Sequence, residues 1–258
     1  MGNFLSKLVN DAEKRVQSGY YDLHETVQHT PISLSQQIKN ASHNAIIAEI
    51  KPISPALGPL NPKIDPVNAA VKLQQGGAIG LSILTEPDNF GGSMKNLLII
   101  RSKSKLPLLM KDIIIDERQI IAARNYGADC ILLIQTIFSD LKPQTSLDEL
   151  IENAHKLQLE VLLEIHNDQE FQLGLSSSAD IVGVNNRNLN TLETDLETTI
   201  RILTNAKSTG KPIISESGLE TAEDVRKIKQ SPVDGFLIGS SIMLAENLEN
   251  KVREFVFA

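Results

Sequence analysis

Ile46-Ile47-Ala48-Glu49-Ile50-Lys51-Pro52-Ile53-Ser54-Pro55 is the stretch from which the rest of the chain can be read. Its apolar run ends in two charged residues, Glu49 and Lys51, and a Ser-Pro turn follows. Taking an ion out of water is unfavourable unless it is paired. Side chains two apart on a strand share a face, so Glu49 and Lys51 point together from one strand end. That placement reads as the rim of an active site. The pattern returns down the chain, where other strand-like runs end in Lys111, Glu164, Asn185 and Glu216.

Eight short runs rich in Ile, Leu and Val share this look: 46–51, 80–85, 106–111, 130–134, 161–165, 181–185, 212–216 and 235–239. They mostly do not alternate with polar residues, as expected of strands covered on both faces. Amphipathic stretches at 65–75, 117–124, 146–157, 191–203, 221–229 and 245–255 punctuate them. Such alternation implies a parallel sheet with helical crossovers. An open doubly wound sheet that binds dinucleotides would carry G-x-G-x-x-G after its first strand, and that fingerprint is missing. A closed barrel instead gathers every strand's C-terminal end onto one face. The expectation is an α/β fold, a single (β/α)8 TIM barrel domain over residues 1–258, with residues 1–45 as a helical N-terminal extension. Two helices, 3–17 and 33–41, are expected there, covering the barrel bottom or edge.

The 258 residues are 41% hydrophobic and 22% charged, enough for a large core without a disulfide or metal staple. The net charge is −7 and Lys and Arg are scattered, which argues against nucleic-acid binding and a basic membrane patch. No apolar run approaches the roughly 20 residues of a membrane span, and the N-terminus lacks the pattern of a signal peptide. Met1 to Ser6 spell a short myristoylation pattern. Phe4, Leu5, Leu8, Val9, Ala12 and Val16 recur at helical spacing, however, and read as an amphipathic helix packed on the domain. Cys130, the only cysteine, lies in an apolar run and reads as a small buried hydrophobe. The histidines His24, His29, His43, His155 and His166 show no metal spacing. The chain is therefore read as a cytoplasmic monomer that uses no cofactor and no metal.

In a barrel, Lys51, Lys111, Glu164, Asn185, Arg187 and Glu216 converge on one mouth. Two lysines and two carboxylates suit metal-free acid–base chemistry. A lysine in a dry site loses pKa and a carboxylate in an apolar wall gains it, so each is expected to approach neutrality. The turns at 215–218 and 235–241 follow the seventh and eighth strands. In many barrels those loops bind a phosphate through backbone N–H groups, and Ser240 can add a hydroxyl. A phosphorylated small-molecule substrate is expected. The Phe90-Gly91-Gly92-Ser93 turn reads either as a lid or as a helix N-cap. His166, two places past Glu164, reads as a loop histidine. No nucleophile elbow and no P-loop is present.

With these residues placed, the chain resembles the indole-3-glycerol-phosphate synthase family. The motifs are EIKPISP (within 47–55), LSILTEPDNFGGS (81–93), PLLMKDIIID (107–116), LLEIH (162–166), GVNNRNL (183–189), ISESG (214–218) and FLIGSS (236–241), in the family's order. The resemblance implies a carboxy-lyase of tryptophan biosynthesis. Its substrate would be 1-(2-carboxyphenylamino)-1-deoxyribulose 5-phosphate and its product indole-3-glycerol phosphate. It implies Lys111 as general acid, Glu164 as base in dehydration, Lys51 on the substrate carboxylate and Glu49 as orienting partner. It further implies that Asn185, Arg187, Glu216 and Ser217 position the substrate, and that Ser54, Gly218, Gly239 and Ser240 cradle its phosphate. Leu84, Ile113 and Leu133 are expected to form the apolar wall, with Phe90 also against the substrate. Two residues depart from the pattern: Pro52 stands where a basic residue is frequent, and Ile113 where an aromatic one is usual. A phosphoribosylanthranilate isomerase would use a cysteine and an aspartate near strand ends, and Cys130 sits inside its run instead. A catalytically silent barrel would lack Lys51, Lys111 or Glu164, and all are present.

Overall fold

The computed structural model describes residues 4–22, 25–204 and 210–258. Met1, Gly2, Asn3 and His24 lie outside the described residues. Eight parallel strands close into a barrel: β1 (Ala45–Ile50), β2 (Gly80–Leu84), β3 (Leu108–Lys111), β4 (Cys130–Ile134), β5 (Glu160–Ile165), β6 (Ile181–Asn185), β7 (Ile213–Glu216) and β8 (Gly235–Ile238). Each pairs with its neighbours in chain order, and β1 closes the ring against both β2 and β8. The (β/α)8 expectation is borne out, and strand ends fall within two residues of those read from sequence.

The unalternating runs have a direct cause. Inside the ring, Ile47, Leu109, Leu132, Leu162, Ile214 and Leu237 pack on one another. Outside it, Ile46, Ile83, Met110, Ile131, Leu133 and Val182 pack against the helices. Both strand faces are dry, so both are apolar. Truncating one such leucine to alanine costs about 2–5 kcal/mol.

Local chemistry starts the helices. Asp65 caps Pro66–Gln75, accepting from the N–H groups of Val67 and Asn68. Reciprocal capping boxes open Glu117–Asn125 (Asp116 with Gln119), Leu147–Lys156 (Ser146 with Glu149) and Ala222–Ile228 (Thr221 with Asp224). Ser93 caps Met94–Arg101, as the N-cap reading of that turn has it. The helix Asp168–Ser176, capped by Asn167, was not expected. Within 191–203 only Glu197–Leu203 is helical. The side chain of Asn188 instead accepts from Asn190 N–H and Thr191 N–H and folds that stretch into a turn.

The N-terminal extension divides between the two ends of the barrel. Helix α1 (Phe4–Gln17) lies over the mouth, not the bottom, with Leu5, Leu8, Val9 and Ala12 buried. Helix α2 (Leu34–Lys39) covers the bottom: Leu34 packs on Gly80 at the start of β2, and Ser33 and Ser35 bond Glu160 at the start of β5. Among the described residues, no helix is long and apolar enough to cross a membrane.

Candidate active site

Strand geometry delivers the charged residues to one place. Glu49, Lys111, Glu164, Asn185 and Glu216 occupy the inward-facing register at or near the C-terminal ends of β1, β3, β5, β6 and β7. Lys51 lies just beyond β1. Lys111 Nζ is 3.0 Å from Glu216 Oε2 and 3.4 Å from Glu164 Oε2. Asn185 Nδ2 donates to Glu164 Oε1 at 2.9 Å. Lys51 Nζ meets Glu49 Oε1 at 2.9 Å, and Ser82 Oγ donates to Glu49 Oε2 at 3.4 Å.

These contacts set the charges. Burial works against the Lys111 ammonium, but Glu216 and Glu164 outweigh it and raise its pKa above the ordinary lysine range. The reading that its pKa falls toward neutrality is therefore corrected: two carboxylates face this lysine, so the site is dry but anionic. Burial also disfavours charge on Glu164, yet Lys111 and His166 hold it at about 2. Glu216 behaves oppositely. Burial and the Glu164 charge lift it to about 7, against the pull of Lys111. Two carboxylates on one ammonium thus part their titrations, which is the pattern of an acid–base pair. Glu49, though buried, is held low by Lys51 and Lys111.

Above this floor is a cavity of about 300 Å³, at the lower end of small-ligand sites. Lys51, Lys111, Glu49, Glu164, Asn185 and Arg187 line it, as do Leu84, Phe90 and Ile113. Ser54, Ser217, Gly218, Gly239 and Ser240 line it too. Two residues are placed otherwise than expected. Leu133 points outward into the layer between sheet and helices, while Leu132 and Ile134 face the cavity. Side chains alternate along a strand, and the sequence reading took the wrong parity. Glu216 lies beneath the wall, 1% exposed and bonded to Lys111, and its Oε1 has no hydrogen-bond partner among the described residues.

Residues 5–255 match the family model for indole-3-glycerol phosphate synthase. The chain belongs to the indole-3-glycerol phosphate synthase family. Relatives carrying that name include one from Staphylococcus aureus, 41% identical over 249 residues, covering 95% of this chain and 94% of the relative. Another, from Campylobacter fetus, is 38% identical over 229 residues, covering 89% and 87%. Among solved structures, thiamine phosphate pyrophosphorylase from Pyrococcus furiosus aligns with TM-score 0.62 at 15% identity over 86% of this chain and 96% of that one. An N-acetylmannosamine-6-phosphate 2-epimerase from Clostridium perfringens aligns with TM-score 0.59 at 14% identity over 83% and 93%. These two likenesses concern the fold alone.

Within this synthase-family barrel, three of the residues missed by the sequence reading come from α1. Phe4, Leu5 and Leu8 line the cavity, so an aromatic ring reaches the wall even though Ile113 is aliphatic. Their helical periodicity was plain, but nothing in it says which end of the barrel the helix covers. A buried clamp holds α1 there. Arg15 Nη1 donates to Glu86 Oε1 and Asp88 Oδ2, both at 2.8 Å, and Nη2 lies 3.8 Å from Asp112 Oδ1. Tyr21 Oη and Thr85 Oγ1 also donate to Asp112, at 3.1 and 2.6 Å. Burial lifts Asp112 to about 6 despite these partners. Asp112 thus anchors α1 beside Lys111. The loop after β1 forms a small hairpin, Ile53–Ser54 with Gly58–Pro59, and Ile53 packs on Gly91 of the next loop. Among the described residues, no cluster of three or more His, Cys, Asp or Glu is placed to hold a metal.

Proposed function

We propose that this chain, a lyase of the indole-3-glycerol phosphate synthase family, works through Lys111 and Glu164 on 1-(2-carboxyphenylamino)-1-deoxyribulose 5-phosphate. The observation that carries the reading is the Lys111 ammonium at the cavity floor between Glu164 and Glu216. The substrate phosphate sits among Ser54, Gly218, Gly239 and Ser240, and Lys51 takes its carboxylate. Leu84, Ile113 and Phe90, with Phe4 of α1, hold the ring against the ketone. The ring carbon bearing the carboxylate then attacks the ketone carbon while Lys111 gives a proton to the ketone oxygen. The carboxylate leaves as carbon dioxide and its electron pair restores the aromatic ring. Finally the new hydroxyl takes a proton from Lys51 and departs as water, and Glu164 takes the proton released from the neighbouring carbon as the indole double bond forms.

Acid–base catalysis contributes about 10²–10⁴-fold per group, and confinement of a flexible chain supplies much of the remainder. Asn185, Arg187 and Ser217 orient the hydroxyls and the amine, and Glu216 holds Lys111 from beneath. The chain acts in the cytoplasm as a monomer, which sedimentation velocity tests. The decisive assay mixes purified protein with the carboxyphenylamino sugar phosphate and follows indole fluorescence together with carbon dioxide release. Equal appearance of both is expected, and absence of both overturns the reading.

A further inference from the structure

His166 lies outside the cavity wall, yet it touches the carboxylate to which the reaction assigns the base. Its Nε2 is 3.3 Å from Glu164 Oε1, and its Nδ1 is 3.5 Å from Glu170 Oε2. Thr136 Oγ1 lies 3.1 Å from the same Nδ1 and donates to Glu170 Oε1 at 2.9 Å. Glu170, on the helix Asp168–Ser176, also accepts from the His166 backbone N–H at 2.8 Å. The imidazole is therefore wedged between two buried carboxylates, one facing the cavity and one behind it.

We propose that His166 is a positioning residue for Glu164, holding Oε1 jointly with Asn185 and keeping the group a carboxylate after Lys111 has given up its proton. The proposal rests on the functional reading above, in which Glu164 is the base of the dehydration. The groups that face Glu164 are Lys111 from β3, Asn185 from β6 and His166 beyond β5, with Glu216 of β7 across Lys111. Once Lys111 has protonated the ketone oxygen it is neutral, and the ammonium that offset the burial of Glu164 is lost. The other facing cation is His166. It exchanges no proton with substrate, so its charge persists through the later step.

Two further observations agree with this role. Burial opposes charge on the imidazole, but Glu164 and Glu170 lift it to about 9, so it is a cation at neutral pH. Its Nε2 is buried and has no aligned hydrogen-bond partner among the described residues, although Glu164 Oε1 is close. The contact is thus ionic, and charge rather than hydrogen-bond geometry is what it supplies.

The test compares wild type with His166→Gln, which keeps length and polarity and removes the charge. Expected are a kcat about tenfold lower or more, with KM changed less than about twofold. The acid limb of the kcat–pH profile should move up by about one pH unit or more, because Glu164 has lost a facing cation. A strut that merely held the loop would leave that limb where it was, and an unmoved limb overturns the proposal. Should His166→Gln fail to fold, the ring nitrogens of His166 in the wild type are followed by assigned NMR. A ring protonated at pH 7.5 is expected; a neutral one overturns the proposal. A wild type that makes no indole product sinks the functional reading instead, and the ring titration still reports the Glu164–His166–Glu170 pairing.

Discussion

Gly183 has no side chain because the Glu216 carboxylate occupies that space: a Cβ there would collide with Glu216 Oε1. Gly183→Ala should push Glu216 off Lys111, lowering kcat by about tenfold or more while the fold persists; steady-state kinetics beside a thermal melt separates the two effects. The Lys111→Ala variant should lose about 10²–10⁴-fold in kcat with a smaller change in KM. Near-normal turnover would remove Lys111 as the acid. Ser240→Asp places a negative charge on the expected phosphate seat and should raise KM by about tenfold or more, since like charges in contact cost several kcal/mol. An unchanged KM would move the phosphate elsewhere. Glu49, Lys51, Lys111 and Glu164 were legible as residues of the cavity because an ion at the end of a dry apolar run must meet a partner or a substrate. Gly183, Phe4 and the contact of His166 with Glu164 were not, since each matters through a neighbour remote in sequence or across a strand end.

At the scale of elements, α1 works as a strut. Arg15 binds Glu86 and Asp88 in the loop after β2, Lys7 donates to Asn89 at 2.6 Å, and Tyr20 Oη donates to the Thr85 carbonyl at 3.0 Å. That loop in turn packs on the hairpin after β1 through Gly91 and Ile53. Arg15→Met should release the helix and leave Glu86 and Asp112 buried beside no cation. Breaking a buried pair in this way costs roughly 3–5 kcal/mol, read by urea unfolding at pH 7. Because α1 also supplies Phe4, Leu5 and Leu8 to the wall, kcat/KM should fall with it. A variant as stable and active as wild type would show that the clamp is idle. The helices themselves were readable where caps and periodicity agreed, as at Ser146 and Glu149. Asp168–Ser176 escaped notice because its polar start hides the buried Phe171 and Gly174.

For the whole molecule, the buried charges tie stability to pH. His166 titrates near 9 when folded, above its ordinary 6.5. The folded state therefore holds this proton more tightly. The stabilisation is complete below about pH 6.5 and is lost as pH rises through about 9, on the order of 3 kcal/mol. The wild-type melting temperature should accordingly drop by several degrees relative to His166→Gln between pH 6.5 and 9.5. Parallel curves for the two proteins would mean that the folded state does not favour the His166 proton. If residues 1–258 behave as one domain, each melt is also a single transition.

The barrel, and the identity of most chemical groups at its mouth, followed from the order of residues. Runs dry on both faces admit only a covered parallel sheet, and ions at their ends must find one another. Packing in three dimensions settled which end of the barrel α1 covers, which of Leu132, Leu133 and Ile134 faces inward, and which carboxylate keeps its proton near neutrality. Those outcomes depend on distances between groups far apart in the chain. Burial and Coulomb energy act across space, and sequence order does not record it.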